Sequence, residues 1–402
     1  MLFSLAVILL LGLSAGSLFA RLRLPALMGM LLVGIAIGPH ALNLIDGSLL
    51  AVSADIRRIA LIVILMRAGL SLNLGDLRRV GRPAVLMCFV PASFEVLGMV
   101  LLAPRLLGLS TLEATVLGAV IGAVSPAVIV PKMLRLMETG WGADKRIPQL
   151  LLAAASVDDV YVIVLFSVFT GLLQTGSASP AAFARIPVSI VLGVAVGAAL
   201  GLAAARFFAR FHIRDTVKVA LLLSFSFLLA AFEDADLLPF SAMLAVMSAG
   251  IALQRARTAV ATRLSIRLSK LWVISEVLLF VLVGATVDMR YAIAAGVNAA
   301  LLILGVLAFR MAGVCLCLLR TPLSWRERLF CMIAFLPKAT VQAAIGSLPL
   351  AMGLACGEVV LTVAVLSILI TAPLGALLID VAHPRLLTLS DRMPADGSSA
   401  SR

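Results

Sequence analysis

The feature that most constrains this chain is a succession of long apolar runs, each close to the length of a membrane-crossing helix. A hydrocarbon core takes about 20 residues of helix. Runs of that kind, separated by charged or Pro/Gly breaks, fall at roughly 2–20, 25–40, 54–73, 83–104, 112–131, 147–172, 186–209, 217–232, 238–254, 271–288, 292–318, 327–348 and 358–380. Only 13% of the 402 residues are charged and 62% are hydrophobic. Soluble domains carry roughly 25% charged and 45–50% apolar residues. Too few polar side chains exist to cover such a core in water, so lipid must be part of its solvent. The expectation is an all-α polytopic membrane protein of about thirteen transmembrane helices. The first run, Leu2 to Ala20, lacks the charged leader of a signal peptide and is read as a span.

The formal net charge is +12. No connection is long enough to form a nucleic-acid reading domain, so the excess base points to the positive-inside rule. The odd-numbered connections hold Arg21 and Arg23; Arg78, Arg79 and Arg82; Lys132, Arg135, Lys145 and Arg146; Arg206, Arg210, Arg214 and Lys218; Arg255, Arg257, Arg263, Arg267 and Lys270; and Arg320, Arg326 and Arg328. The even-numbered ones hold Arg105, Arg185 and Arg290. This bias predicts an N-terminus outside and a cytoplasmic C-terminus, and the protein is expected to be integral to the plasma membrane. The polar tail, 386–402, is expected to be disordered. The five cysteines lie in or beside apolar segments, and His40, His212 and His383 are scattered, so neither a disulfide framework, a zinc site nor any cofactor is expected.

Ionisable residues inside spans are costly and need a reason. Five stand out: Glu95, Asp158, Asp159, Arg310 and Lys338. Asp158 and Asp159 are adjacent on one helix, so their side chains project about 100° apart. One can face a cavity while the other faces a packed neighbour. Two carboxylates this close in a low dielectric resist ionising together. Such a pair can hold a proton at one moment and a cation at the next. The competing reading is a structural acid pair neutralised by Lys338 and Arg310.

Two spans are interrupted by proline. The fifth carries Pro126 beside Gly122 and Ser125, and the twelfth carries Pro337, followed by Lys338, Thr340 and Gln342. Proline removes a backbone donor and clashes with the preceding turn, so each helix should break there. Glu95 precedes Pro126 by 31 residues and Arg310 precedes Pro337 by 27. Matching breaks in two halves point to a transporter built from inverted repeats, here spans 2–6 and 9–13. Half-helices meeting at the midplane leave free amides and carbonyls. Lys338 can neutralise carbonyl ends or pair with an acid, and Glu95 can pair with Arg310 across the repeats, as a clamp or as a gate.

The stretches Gly122–Pro131, Ser156–Val160 and Leu336–Gly346, with Arg67–Leu70, resemble the cation:proton antiporter superfamily, most closely its NHA-type sodium/proton antiporter branch. The likeness covers about residues 20 to 380. The resemblance implies two crossed discontinuous helices and a homodimer. It implies core helices near 83–172, 292–348 and 358–380 moving like an elevator against scaffold helices near 1–73 and 186–288. It also implies that Asp159 is the main carboxylate for cation and proton, with Asp158 its partner. Ser125, Ser156 and Thr340 are the further candidate ligands for Na⁺ or Li⁺. An arginine at 310, where electrogenic members have a lysine, stays protonated and cannot carry the proton, which leaves the stoichiometry open. The expected function is Na⁺(Li⁺)/H⁺ antiport; a K⁺/H⁺ antiporter is the alternative. An organic-anion symporter and a non-transporting sensor fit less well. An intramembrane aspartyl protease needs its two acids on different helices around one water.

Overall fold

In the computed structural model the described residues are 1–22, 24–72, 81–175, 180–211, 213–235 and 240–389. For 156, 175, 180–187 and 289–295 the backbone alone is described. Arg23, Arg78, Arg79, Arg185, His212, Arg290 and the tail beyond 389 therefore lie outside the described residues, in whole or in side chain.

The described residues form eighteen helices: α1 Leu2–Arg21, α2 Ala26–Ile37, α3 Gly47–Ala51, α4 Ser53–Ser71, α5 Arg82–Met87, α6 Val90–Leu107, α7 Thr111–Ile121, α8 Pro126–Glu138, α9 Ile147–Thr175, α10 Pro180–Arg210, α11 Asp215–Asp234, α12 Ala242–Ala256, α13 Thr258–Ala285, α14 Met289–Cys317, α15 Trp325–Ala334, α16 Thr340–Gly346, α17 Leu348–Ala351 and α18 Gly357–Leu386. Among the described residues, each expected apolar run overlaps helix. Nine helical stretches among the described residues are long and apolar enough to cross a bilayer unaided. The others are short, as α2 and α12 are, or carry charge, as α4 does with Asp55, Arg57, Arg58 and Arg67. Boundaries move in one informative place. α13 begins at Thr258, so Arg263, Arg267 and Lys270 lie on its opening turns and not in a connection.

Both proline breaks are present. α7 stops at Ile121 and α8 starts at Pro126, with Ser125 extended (φ −87°, ψ 112°) as a residue before proline must be. α15 stops at Ala334, and Pro337 lies in the link before α16. The two interrupted helices also open alike. Ser110 and Glu113 form a reciprocal capping box at α7, and Ser324 and Glu327 form one at α15. α18 passes the second break at Gly375, where any Cβ would strike the Pro337 ring.

The helices pack in two groups. α10 lies along α12, α12 along α4, α4 along α13, and α13 along α2, which holds α1. Separately, α6 packs on α14 and α7, α9 on α7 and α8, and α18 on α14, α15 and α16. Small residues set the close approaches of the first group. Gly193, Gly197 and Gly201 recur every four residues on α10, where backbone meets backbone of α12. A Cβ on Gly197 would run into the Ala245 carbonyl oxygen. Two cavities lie between the groups, one at each end. One, about 810 Å³, is lined by the α1–α2 link, α8 and α18. The other, about 750 Å³, is lined by α4, α9, α11, α12 and α17.

Gly197→Ala therefore forces α10 off α12, at about 1–3 kcal/mol for overpacking. Gly296→Ala adds a Cβ in open space on α14. Thermal unfolding in detergent should show a lower melting temperature for the first and no loss for the second. Equal behaviour of the two would contradict this packing.

Candidate functional site

The two breaks cross in the second helical group, and their backbones touch. The Ser125 amide donates to the Pro337 carbonyl at 2.8 Å. Around this contact four helix ends converge, and each leaves backbone groups without an intrahelical partner. They are buried among packed helices, and side chains supply their partners.

Arg310, fully buried on α14, serves both C-terminal ends. Its Nε donates to the Phe335 carbonyl at the end of α15 at 2.6 Å, and Nη1 donates to the Gly122 carbonyl at the end of α7. Nη1 also bonds Glu95 Oε2 at 2.7 Å, and Nη2 bonds Asp158 Oδ2 at 3.0 Å. The guanidinium lies over the Phe335 ring, 5.1 Å from its centre. A positive group between two helix C-termini meets the negative ends of both dipoles. Lys338 adds a second cation: its Nζ bonds the same Glu95 Oε2 at 2.6 Å. Glu95 from α6 thus joins Arg310 and Lys338, and all three side chains are fully buried.

The N-terminal ends are served by acceptors. Asp158 Oδ2 accepts from the Val124 amide ahead of α8 at 2.8 Å. At α16, Gln342 Oε1 accepts from the Ala339 amide at 2.8 Å, and Thr371 Oγ1 of α18 accepts from the Lys338 amide at 2.9 Å. Gln342 Nε2 then reaches across to the Ile121 and Ala123 carbonyls at 3.1 and 2.7 Å. One amide side chain ties the first break to the second. Sequence places Gln342 just after the second break but gives it no role there, and it does not single out Thr371. Their partners are backbone groups that only the crossing of the breaks brings near. The one local signal is Gln342 at the third residue after Ala339, the reach-back position of a capping box.

The two aspartates are unequal. Asp158 is wholly buried and spends one oxygen on Arg310 and Val124. Asp159 is 8% exposed, and its Oδ1 has no hydrogen-bond partner among the described residues. Asp158 Oδ1 and the hydroxyl of Ser125, at the N-cap of α8, are likewise buried and unpartnered. Pro126 is the first residue of α8. Thr340 is buried at the start of α16, and Ser156 lies on α9 with its side chain outside the described set. Of the other span charges, Arg67 lies over the Trp272 ring at 5.5 Å and is near enough to Glu276 for the charges to act on each other. Neither belongs to the network at the breaks.

The cavities approach this centre from opposite ends. On α8, Ala127 and Val128 line the larger one, two and three residues beyond Ser125. On α9, Phe166 and Thr170 line the other, seven and eleven residues beyond Asp159 on the same helix face.

Comparison with known proteins gives one answer. The family described as sodium/hydrogen exchanger, transmembrane, matches residues 5–380. The chain is 36% identical over 411 residues to Sodium/hydrogen exchanger 9B2 of Mus musculus, spanning 97% of this chain and 74% of that protein. It is 32% identical over 398 residues to Sodium/hydrogen exchanger 9B1 of Homo sapiens, spanning 91% and 73%. Its fold is that of the sodium proton antiporter MjNhaP1 from Methanocaldococcus jannaschii, with a TM-score of 0.82, 23% identity, and 95% and 97% of the two chains covered. With a membrane-embedded crossing of two broken helices around buried acids, and these likenesses along almost its whole length, the chain belongs to the transmembrane sodium/hydrogen exchanger family.

Proposed function

We propose that this protein exchanges Na⁺ or Li⁺ for H⁺ across the membrane, with Asp159 as the group for which the two ions compete. The observation that carries the reading is the charge pattern at the breaks. Glu95 and Asp158 are matched by Arg310 and Lys338 through direct contacts. Asp159 is the carboxylate left over. A bare charge in such an interior is costly. Asp159 is therefore occupied by a proton or by a cation. Its free oxygen, with Asp158 Oδ1 and the Ser125 hydroxyl, offers the all-oxygen surroundings that a hard cation favours. Ser156, two residues before Asp158, and Thr340, at the start of the half-helix after the second break, remain candidate ligands.

One unmatched carboxylate exchanges one charge. The proposed stoichiometry is one cation per proton. Arg310 cannot release a proton, and Lys338 is held by Glu95. No covalent step occurs, so the protein is a transporter and not an enzyme.

The proposed movement is alternating access. The group around α6–α9 and α14–α18 carries the site, while the α4, α10–α13 group with α1 and α2 stays as a scaffold. The glycine-mediated contacts within the scaffold and the cavities at each end of the boundary support this division. Only the cation-loaded or protonated carrier crosses, because the empty one holds an unpaired charge. The scaffold faces of α1, α10 and α11 expose large apolar side chains such as Leu10, Val191 and Leu228, suited to lipid or to a second copy in a homodimer. The charge bias of the connections supports an orientation with the C-terminus inside, proposed for the plasma membrane.

Two outcomes are expected. In proteoliposomes, Asp159→Asn should abolish sodium-driven proton movement while the purified protein keeps its melting temperature. Asp158→Asn frees Arg310 from one partner, so residual exchange with a KM raised about tenfold or more is expected, with a lower melting temperature. Retained exchange in Asp159→Asn would sink the reading. Competition also fixes a pH signature. With proton and cation sharing one group, each unit of falling pH should raise the apparent KM for Na⁺ by up to about tenfold while the maximal rate holds. A maximal rate that falls with KM constant would show that the two ions do not share Asp159.

A further inference from the structure

Resting on the antiport reading, we propose that the cavity between α4, α9, α11, α12 and α17 is a staging site for a monovalent cation, separate from Asp159 and feeding it from that face alone. Asp55, Glu233 and Asp234 line this cavity against a single guanidinium, Arg58. Arg58 is spent on two of them, at 2.6 Å to Asp234 Oδ2 and 3.3 Å to Glu233 Oε2. Glu233 Oε1 also accepts from the Ala242 amide at 3.1 Å, which fixes the carboxylate toward the start of α12. Asp55 is exposed and pairs with no cation among the described residues. The lining therefore keeps a net negative charge.

A second observation, independent of the acids, points to a ligand. Ser241 lines the cavity, is 3% exposed, and its hydroxyl has no hydrogen-bond partner among the described residues. Ser167, which lines the same cavity from α9, also has a buried hydroxyl without a partner among them. Buried hydroxyls are nearly always satisfied in native structures. Two of them left open beside excess carboxylate are what a partly dehydrated cation would satisfy.

Placement gives the site its role. Ser241, Glu233 and Asp234 belong to the scaffold group, and Ser167 belongs to α9, which carries Asp159. Ser167 lies eight residues beyond Asp159, about 12 Å along the helix axis. Phe166, fully buried, lines the cavity beside it, seven residues beyond Asp159 on the same helix. A cation held here waits about two helical turns from Asp159.

The opposite cavity has the reverse charge. Lys132 and Arg135 line it with one acid, Asp380, which is bound to Lys132. A cleft of one sign concentrates its counter-ion, and one of the other sign does not. The two faces should thus differ in how they collect cations.

The test is the half-saturating Na⁺ concentration for sodium-driven proton movement, measured at each face in right-side-out and inverted vesicles, at low and high choline chloride. Asp55→Asn, which breaks no ion pair, and Asp55→Asn with Asp234→Asn are compared with the wild type. The expected result is a rise of about 3- to 10-fold for the double variant, and a smaller rise for the single one, at one face only. The difference should collapse at about 0.5 M salt, where screening is nearly complete. Ser241→Ala should raise the value at that same face and keep the salt dependence of the wild type, since it removes a ligand and no charge. Equal changes at both faces, or no change in any variant of an exchanging protein, would overturn the staging site and leave the Asp159 reading standing. Absence of exchange in the wild type would overturn both.

Discussion

Everything at the centre of this protein depends on where Arg310 stands. Two half-helices end facing each other in the buried interior, and their last carbonyls have no next turn to meet them. Arg310 donates to one carbonyl from each end and to two carboxylates. A lysine has three donors on one atom and could not reach four acceptors on four elements. The planar fork can, and its charge is permanent. The residue that makes the broken helices possible is for that reason removed from proton chemistry.

The inequality of the aspartates follows. Asp158 takes the second nitrogen of the fork and caps α8 through Val124. It is part of the frame. Asp159, one residue on, projects about 100° away and misses those contacts. The structural and the functional readings of the acid pair thus each suit one member. Glu95 completes the frame by holding Arg310 to Lys338, and Gln342 binds the two breaks to each other.

Much of this is legible in the residues, for identifiable reasons. Apolar runs predict helices because lipid admits little else. Pro126 and Pro337 predict breaks because proline lacks the donor that a helix needs, and both breaks are found. Matching positions in two repeats suggest the Glu95–Arg310 contact, which the fold makes. Position alone leaves Lys338 open between carbonyl ends and an acid, and the geometry chooses Glu95. Other features stay hidden because they are tertiary. Nothing local marks Thr371 as the acceptor for the Lys338 amide, and the four-residue spacing of Gly193, Gly197 and Gly201 marks a close helix contact without naming α12 as the partner. The start of α13 at Thr258 is hidden for another reason: a helix that continues past the lipid looks, by composition, like a charged connection. The matching Ser-x-x-Glu boxes at Ser110 and Ser324 are readable, but each alone is a common helix start.

The central claim is that one carboxylate, and only one, changes its occupant. The most direct measurement is the charge moved per cycle. Sodium-driven proton flux is followed in vesicles whose membrane potential is set by potassium and valinomycin. One-for-one exchange at Asp159 predicts a flux that reverses where the Na⁺ and H⁺ gradients are equal, at any imposed potential, with no steady current. A reversal point that shifts with potential, as two protons per cation would require, would contradict it.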